Sequence, residues 1–234
     1  MPDEYKLQLY FTRHGETWGN IPFSDELGRN PETEAERHDP ELTSWGLKQA
    51  QLLGERLSLK RFDVIFSSPL IRAVSTAYET SIRQPGGPVP IEILPDLFEI
   101  GTPWEYTGYP LDEIIRRFPS VSSKILIHNT ANDWMKAEAE DEREAYLKRA
   151  EHCIAYFRSR FQNGESIFVV AHGSFNTFLT RAALGLNNSN DFNFCQENTG
   201  LTKVKYFLDD KARLSYLNET SHLFAEKPNI TFSL

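Results

Sequence analysis

Two apolar runs that each stop abruptly at a His-Gly pair constrain this chain more than any other feature. Leu7, Leu9 and Phe11 lead into Arg13-His14-Gly15, and Ile167-Phe168-Val169-Val170-Ala171 leads into His172-Gly173. Runs of this length and composition read as buried strands. An open α/β sheet gathers its ligands in the crevice at the carboxyl ends of its strands. Two strands that both deliver a histidine to a loop therefore predict one site, built from segments far apart in the sequence.

The rest of the chain alternates strand and helix patterns. Residues 6–12, 62–66, 90–94, 167–171, 201–208 and 213–217 read as strands, the last two joined by an Asp209-Asp210 turn. Helical patterns cover residues 42–59, with Leu47, Ala50, Leu53 and Leu57 on one stripe, and then 111–118, 142–161 and 175–184. A further helix starts at Ser68-Pro69, because proline suits a first helical turn. Strands alternating with helices predict a layered sheet with helices on both faces. The 234 residues form a single domain, since the short Gln84-Pro85-Gly86-Gly87-Pro88 stretch is a turn and no linker follows it. Two connections are too long for this economy: residues 18–39, and residues 101–132, which show little pattern beyond one short helix. Long loops in a compact domain are usually functional or disordered, and these two follow candidate site residues. They are expected to flank the site as walls or lids.

With 25 Lys and Arg against 33 Asp and Glu, the formal charge is −8, which disfavours nucleic acid and anionic membrane surfaces as partners. An anion site must therefore be built locally. The absence of a basic leader and of any long apolar run points to a cytoplasmic protein. Cys153 and Cys195 lack metal-site spacing and read as ordinary thiols.

The residues at the two His-Gly turns suit phosphoryl transfer, which needs a cradle for three charged oxygens, a nucleophile and an acid for the departing oxygen. Arg13 and Arg72 supply planar guanidinium forks that match phosphate oxygens two at a time. His14 is the candidate nucleophile, since a neutral imidazole is a good one near neutral pH. Gly15, having no side chain, would let a phosphate approach the backbone. His172 would hold phosphate oxygens, with Gly173 at the N-terminus of a helix that favours anions. Glu99, in Leu97-Phe98-Glu99-Ile100-Gly101, is the candidate acid, in apolar company expected to favour its protonated form. Thr17 and Asn20 are candidates for lining the phosphate pocket or for stabilising its turn. Trp104, Tyr106, Tyr109 and Trp134 are candidates for an aromatic wall or for core packing. Arg116-Arg117 read as a second anion contact or a solvated helix face.

These segments, Thr12-Arg13-His14-Gly15-Glu16-Thr17, Ser67-Ser68-Pro69-Leu70-Ile71-Arg72-Ala73, Leu97-Phe98-Glu99 and Val169-Val170-Ala171-His172-Gly173, occur in the order seen in the histidine phosphatase superfamily, the phosphoglycerate mutase-like family. Asp39-Pro40-Glu41-Leu42-Thr43 also resembles the family segment that leads into its first helix. The resemblance spans nearly the whole chain. It implies a three-layer α/β/α sandwich with a largely parallel central sheet. It further implies a phosphohistidine intermediate on His14, phosphate bound by Arg13, Arg72 and His172, Glu99 as proton donor, and no metal or other cofactor. Glu99-Ile100-Gly101-Thr102-Pro103 departs from the sequence that mutases carry around the acid, so the chain is most similar to phosphatase-type members. The expected function is metal-independent hydrolysis of a small phosphorylated substrate. Mutase-type transfer to a bound acceptor, or a phosphate site kept as a non-catalytic binding or scaffold module, are the alternatives.

Overall fold

A computed structural model describes residues 4–21, 38–101, 109–118, 125–127, 143–186 and 193–224. The strands are β1 (Tyr5–Arg13), β2 (Val64–Ser67), β3 (Ile91–Ile93), β4 (Ile125–Ile127), β5 (Glu165–Ala171), β6 (Leu201–Phe207) and β7 (Ala212–Glu219). The helices are α1 (Ser44–Leu57), α2 (Ile71–Ile82), α3 (Leu111–Arg117), α4 (Arg143–Arg160), α5 (Gly173–Leu184) and the single turn α6 (Ser221–Phe224). All seven strands join one sheet in the order β4-β3-β2-β5-β1-β6-β7. Neighbours from β4 through β1 run parallel, and β6 and β7 pair antiparallel to close the far edge.

Side-chain alternation along the central strands divides the core between two faces. Leu7, Leu9 and Phe11 of β1 and Ile167, Val169 and Ala171 of β5 pack on α4 and α5 through Leu147, Phe157, Phe175 and Leu179. Tyr10, Phe168 and Val170 face the other way, onto Leu53 and Leu57 of α1 and Val74 and Ala77 of α2. The result is the expected α/β/α sandwich.

Three local expectations are corrected. The segment 101–132 contains β4, which pairs with β3 as an edge strand; three residues in a polar stretch are too few to show a period. The helix after β2 begins at Ile71, not at Ser68-Pro69, because the Asp39 carboxylate reaches across and takes the Ile71 N–H at 2.7 Å. Leu47 is 41% exposed and falls outside the buried stripe, since the first turn of α1 meets the chain through its glycine instead.

That contact locks the loop after β1. A Cβ on Gly46 would lie 2.0 Å from the Glu16 carbonyl oxygen, and one on Gly15 would lie 2.3 Å from the Gly46 carbonyl oxygen. The bare backbone of Gly15 is thus required by α1, a reason the sequence alone does not show. Thr43 completes the junction: its hydroxyl caps α1 at Gly46 N and its own N–H donates to Glu16 O.

Gly46→Ala tests this junction. Alanine gains up to about 1 kcal/mol of helix propensity over glycine, but the clash with backbone costs more, roughly 1–3 kcal/mol or beyond. The urea midpoint should fall. An unchanged or raised midpoint would show that the loop does not rest on α1.

Candidate active site

The parallel pairing of β1 with β5 places Arg13 beside Ala171, so the residues that follow, His14 and His172, leave the same sheet edge together. The His14 N–H donates to Ala171 O at 3.1 Å, carrying the pairing one residue past β1. The imidazole centroids lie 5.1 Å apart with edge-to-face rings. Ser68, at the end of β2, joins them by donating its N–H to Val170 O.

His14 is buried, and its Nδ1 lies 2.7 Å from Gly15 O. A carbonyl only accepts, so Nδ1 carries the proton and Nε2 holds the lone pair. Arg72 Nε donates toward that Nε2 at 3.3 Å. Burial first, then the Arg72 and Arg13 guanidinium groups, hold the His14 pKa well below the usual histidine value. Burial, then Arg72, His14, Arg13 and Arg149, do so for His172. Both rings are therefore neutral near pH 7. His172 Nε2 meets the Ser68 hydroxyl at 2.7 Å, while its buried Nδ1 has no hydrogen-bond partner among the described residues.

Arg72 is held from behind by a residue that sequence reasoning passed over. Its Nη1 donates to Asp39 Oδ1 at 3.0 Å and to His38 O at 3.1 Å. Asp39 is fully buried, and that burial pushes its carboxyl up to about 6 despite the opposing pull of Arg72. A lone aspartate at the end of a polar connection has no period that would mark it. Its only signal was the segment resemblance beginning at Asp39.

Arg13 donates Nη1 to Gln196 O at 3.2 Å and leaves its buried Nε unpartnered. Gly173 makes room for it, since a Cβ there would stand 3.3 Å from that Nε. The guanidinium consequently lies against the first turn of α5. Glu99 reaches the same turn, accepting from Phe175 N at 3.0 Å, from Ser174 N at 3.3 Å and from its neighbour Ile100 N at 2.9 Å. Backbone amides, more than apolar side chains, thus hold this carboxyl group, and its charge acts on Arg13.

Thr17 and Asn20 bond chiefly to one another. Asn20 Oδ1 accepts from Thr17 N, Thr17 Oγ1 and Asn198 Nδ2, and Asn198 also donates to His14 O at 2.9 Å. They are brought to the backbone side of His14 through Asn198, a second residue missed from sequence. Tyr109 lies 4.4 Å beneath the Arg117 guanidinium, which also pairs with Glu113 and Glu41, and Arg116 is exposed beside Glu113. Trp104, Tyr106 and Trp134, with most of the expected loop walls, fall outside the described residues.

Residues 9–220 match the histidine phosphatase superfamily, branch 1. The chain belongs to that superfamily. It is 31% identical over 186 residues to the adenosylcobalamin/alpha-ribazole phosphatase of Escherichia coli, covering 77% of this chain and 80% of that one. It is 25% identical over 187 residues to phosphoserine phosphatase 1 of Hydrogenobacter thermophilus, covering 79% and 83%. The crystal structure of the alpha-ribazole phosphatase of Shigella flexneri superposes with a TM-score of 0.59 at 26% identity, over 91% of this chain and 96% of that one. Phosphoserine phosphatase from Entamoeba histolytica shares the fold, with a TM-score of 0.59 at 22% identity over 93% and 99%. In a histidine phosphatase, a neutral histidine among guanidinium groups is a ready nucleophile toward a phosphate ester.

The electrostatics of the site make a prediction about pH. Folding keeps both histidines neutral, whereas the unfolded chain takes up protons below about pH 6.5. Each ring therefore contributes stability that is present above that pH and is lost as the pH falls toward the folded value. Nitrogen-15 NMR should show His14 and His172 unprotonated through the range around pH 6.5 where a free imidazole takes up its proton. Titration of His14 at about pH 6.5 would refute the buried, cation-flanked ring.

Proposed function

We propose that this chain hydrolyses a small phosphomonoester in two steps through a phosphohistidine on His14, without a metal ion. The observation that carries the reading is the neutral His14 ring, with Nδ1 tied to Gly15 O and Nε2 beside Arg72. In the first step the Nε2 lone pair forms the N–P bond as the ester P–O bond breaks. Arg13, Arg72 and His172 Nδ1 meet the phosphate oxygens, and donors fixed before the reaction stabilise its developing charge. Glu99, protonated before this step, gives that proton to the departing oxygen. In the second step Glu99 takes a proton from water as the water oxygen bonds to phosphorus and the P–N bond breaks, releasing phosphate.

Gly173 and the first turn of α5 add backbone donors and a helix N-terminus that favours anions. Thr17 and Asn20 act by fixing the turn that carries His14. The two guanidinium groups supply the positive charge that a metal would otherwise bring, which supports metal independence. The named relatives act on phosphoserine and on alpha-ribazole phosphate, so the substrate class is a phosphate ester of a small metabolite hydroxyl. We take residues 1–234 as one catalytic domain, supported by the single sheet. We place the activity in the cytoplasm, away from nucleic acid and membranes, on the net charge of −8 and on the absence, among the described residues, of a helix long and apolar enough to cross a membrane.

Release of inorganic phosphate from 4-nitrophenyl phosphate and O-phosphoserine, measured in EDTA, tests this reading. Wild type should turn over at least one of them, and His14→Ala should lose about 10³-fold or more. Turnover that survives in His14→Ala, or that EDTA abolishes, would overturn it. Equilibration of 2- and 3-phosphoglycerate without phosphate release would favour a mutase.

A further inference from the structure

Arg149, in the middle of α4, has no role in the scheme above, and its surroundings are unusual for a cation. Its guanidinium lies 3.8 Å over the Phe98 ring and 4.4 Å over the Phe175 ring. Nη1 donates to Phe98 O at 3.2 Å, and Nη2 is buried without a hydrogen-bond partner. Burial lowers its pKa most, and Cys153, Asp96, Glu99, Tyr146 and His172 are the titratable groups it acts on or feels. Among the described residues no carboxylate is hydrogen-bonded to it. Stacking on two aromatic faces offsets part of the desolvation cost, yet an apolar side chain of similar length would fill this space without burying a charge.

The two rings it touches flank one residue. Phe98 immediately precedes Glu99, and Phe175 supplies the backbone N–H that holds Glu99 Oε1. Arg149 therefore grips both the strand of chain that carries Glu99 and the helix turn that receives its carboxyl group. Planar stacking and the carbonyl bond together fix the spacing between those two segments, a function that the guanidinium serves and a flexible ammonium does not.

We infer that Arg149 is a positioning residue for protonation of the leaving group, wedged between Phe98 and Phe175 so that the Glu99 carboxyl stays where the departing oxygen needs it. The inference rests on the reading of Glu99 as the acid. It makes no claim that Arg149 touches substrate.

Leaving-group dependence separates this role from a structural one. Phenyl phosphate and 4-nitrophenyl phosphate have nearly the same shape, but the nitrophenolate departs with little need of a proton while the phenolate needs one. The ratio of their kcat/KM values is measured on a single enzyme sample, so any loss of folded protein cancels. Glu99→Gln should slow phenyl phosphate relative to 4-nitrophenyl phosphate by about tenfold or more. Arg149→Met should shift the ratio in the same direction, and the double variant should add little to Glu99→Gln alone, as expected of groups acting as a unit. Phe98→Leu, which removes one stacking face and no charge, should shift it less; it also stands in should Arg149→Met fail to fold.

If Arg149→Met or, in its place, Phe98→Leu slows both substrates equally or leaves both unchanged while Glu99→Gln shifts the ratio, the positioning role is wrong and Glu99 stands. If Glu99→Gln itself leaves the ratio unchanged, the acid assignment fails and the role of Arg149 fails with it.

Discussion

Everything at this site depends on the parallel register of β1 with β5. Because Arg13 pairs with Ala171, the next residue on each strand is a histidine, and the two rings meet edge to face. A slip of one residue would turn every side chain on the strand to the opposite face. The register is fixed by burial on both faces, with Leu9 and Phe11 on one side and Tyr10 on the other. The same packing that stabilises the sheet therefore sets the distance between the histidines. Chemistry here is a by-product of a core that has only one way to fit.

The second constraint is electrostatic. An acidic chain gathers Arg13 and Arg72 around two neutral rings and anchors each cation from behind. Arg72 leans on buried Asp39, which also caps the helix that carries it. Arg13 leans on the Gln196 carbonyl and lies against α5 where Gly173 leaves space. Such an arrangement is costly in a folded protein without a ligand, since it leaves polar atoms such as Arg13 Nε and His172 Nδ1 unsatisfied. In the proposed mechanism Arg13 and His172 turn such donors toward the phosphate oxygens. Strain of this kind is characteristic of sites prepared for charge that arrives with the substrate.

The central strands, the helices on either face and the meeting of His14 with His172 were legible because long apolar runs and their terminators are local signals. Arg13 and Arg72 were legible through their place beside those terminators. Contacts between segments left no such trace. Gly15 reads in sequence as room for a ligand, but its neighbour is the backbone of Gly46. Asp39, Ser68 and Asn198 are ordinary polar residues until the fold brings them against Arg72, His172 and the carbonyl of His14. Leu47 shows the converse, an apolar residue in phase with a buried stripe yet exposed because the helix start docks through glycine.

The central claim is that the fold keeps the His14 lone pair on Nε2, beside Arg72, and not on Nδ1, so that Nε2 attacks phosphorus. Rapid acid-free quenching of the enzyme with 4-nitrophenyl phosphate, followed by phosphorus-31 NMR of the denatured protein, would identify which ring nitrogen is phosphorylated. The hydrogen bond from Nδ1 to Gly15 O predicts a single phosphohistidine at Nε2 of His14. Phosphate on Nδ1, or on His172 instead, would contradict the account.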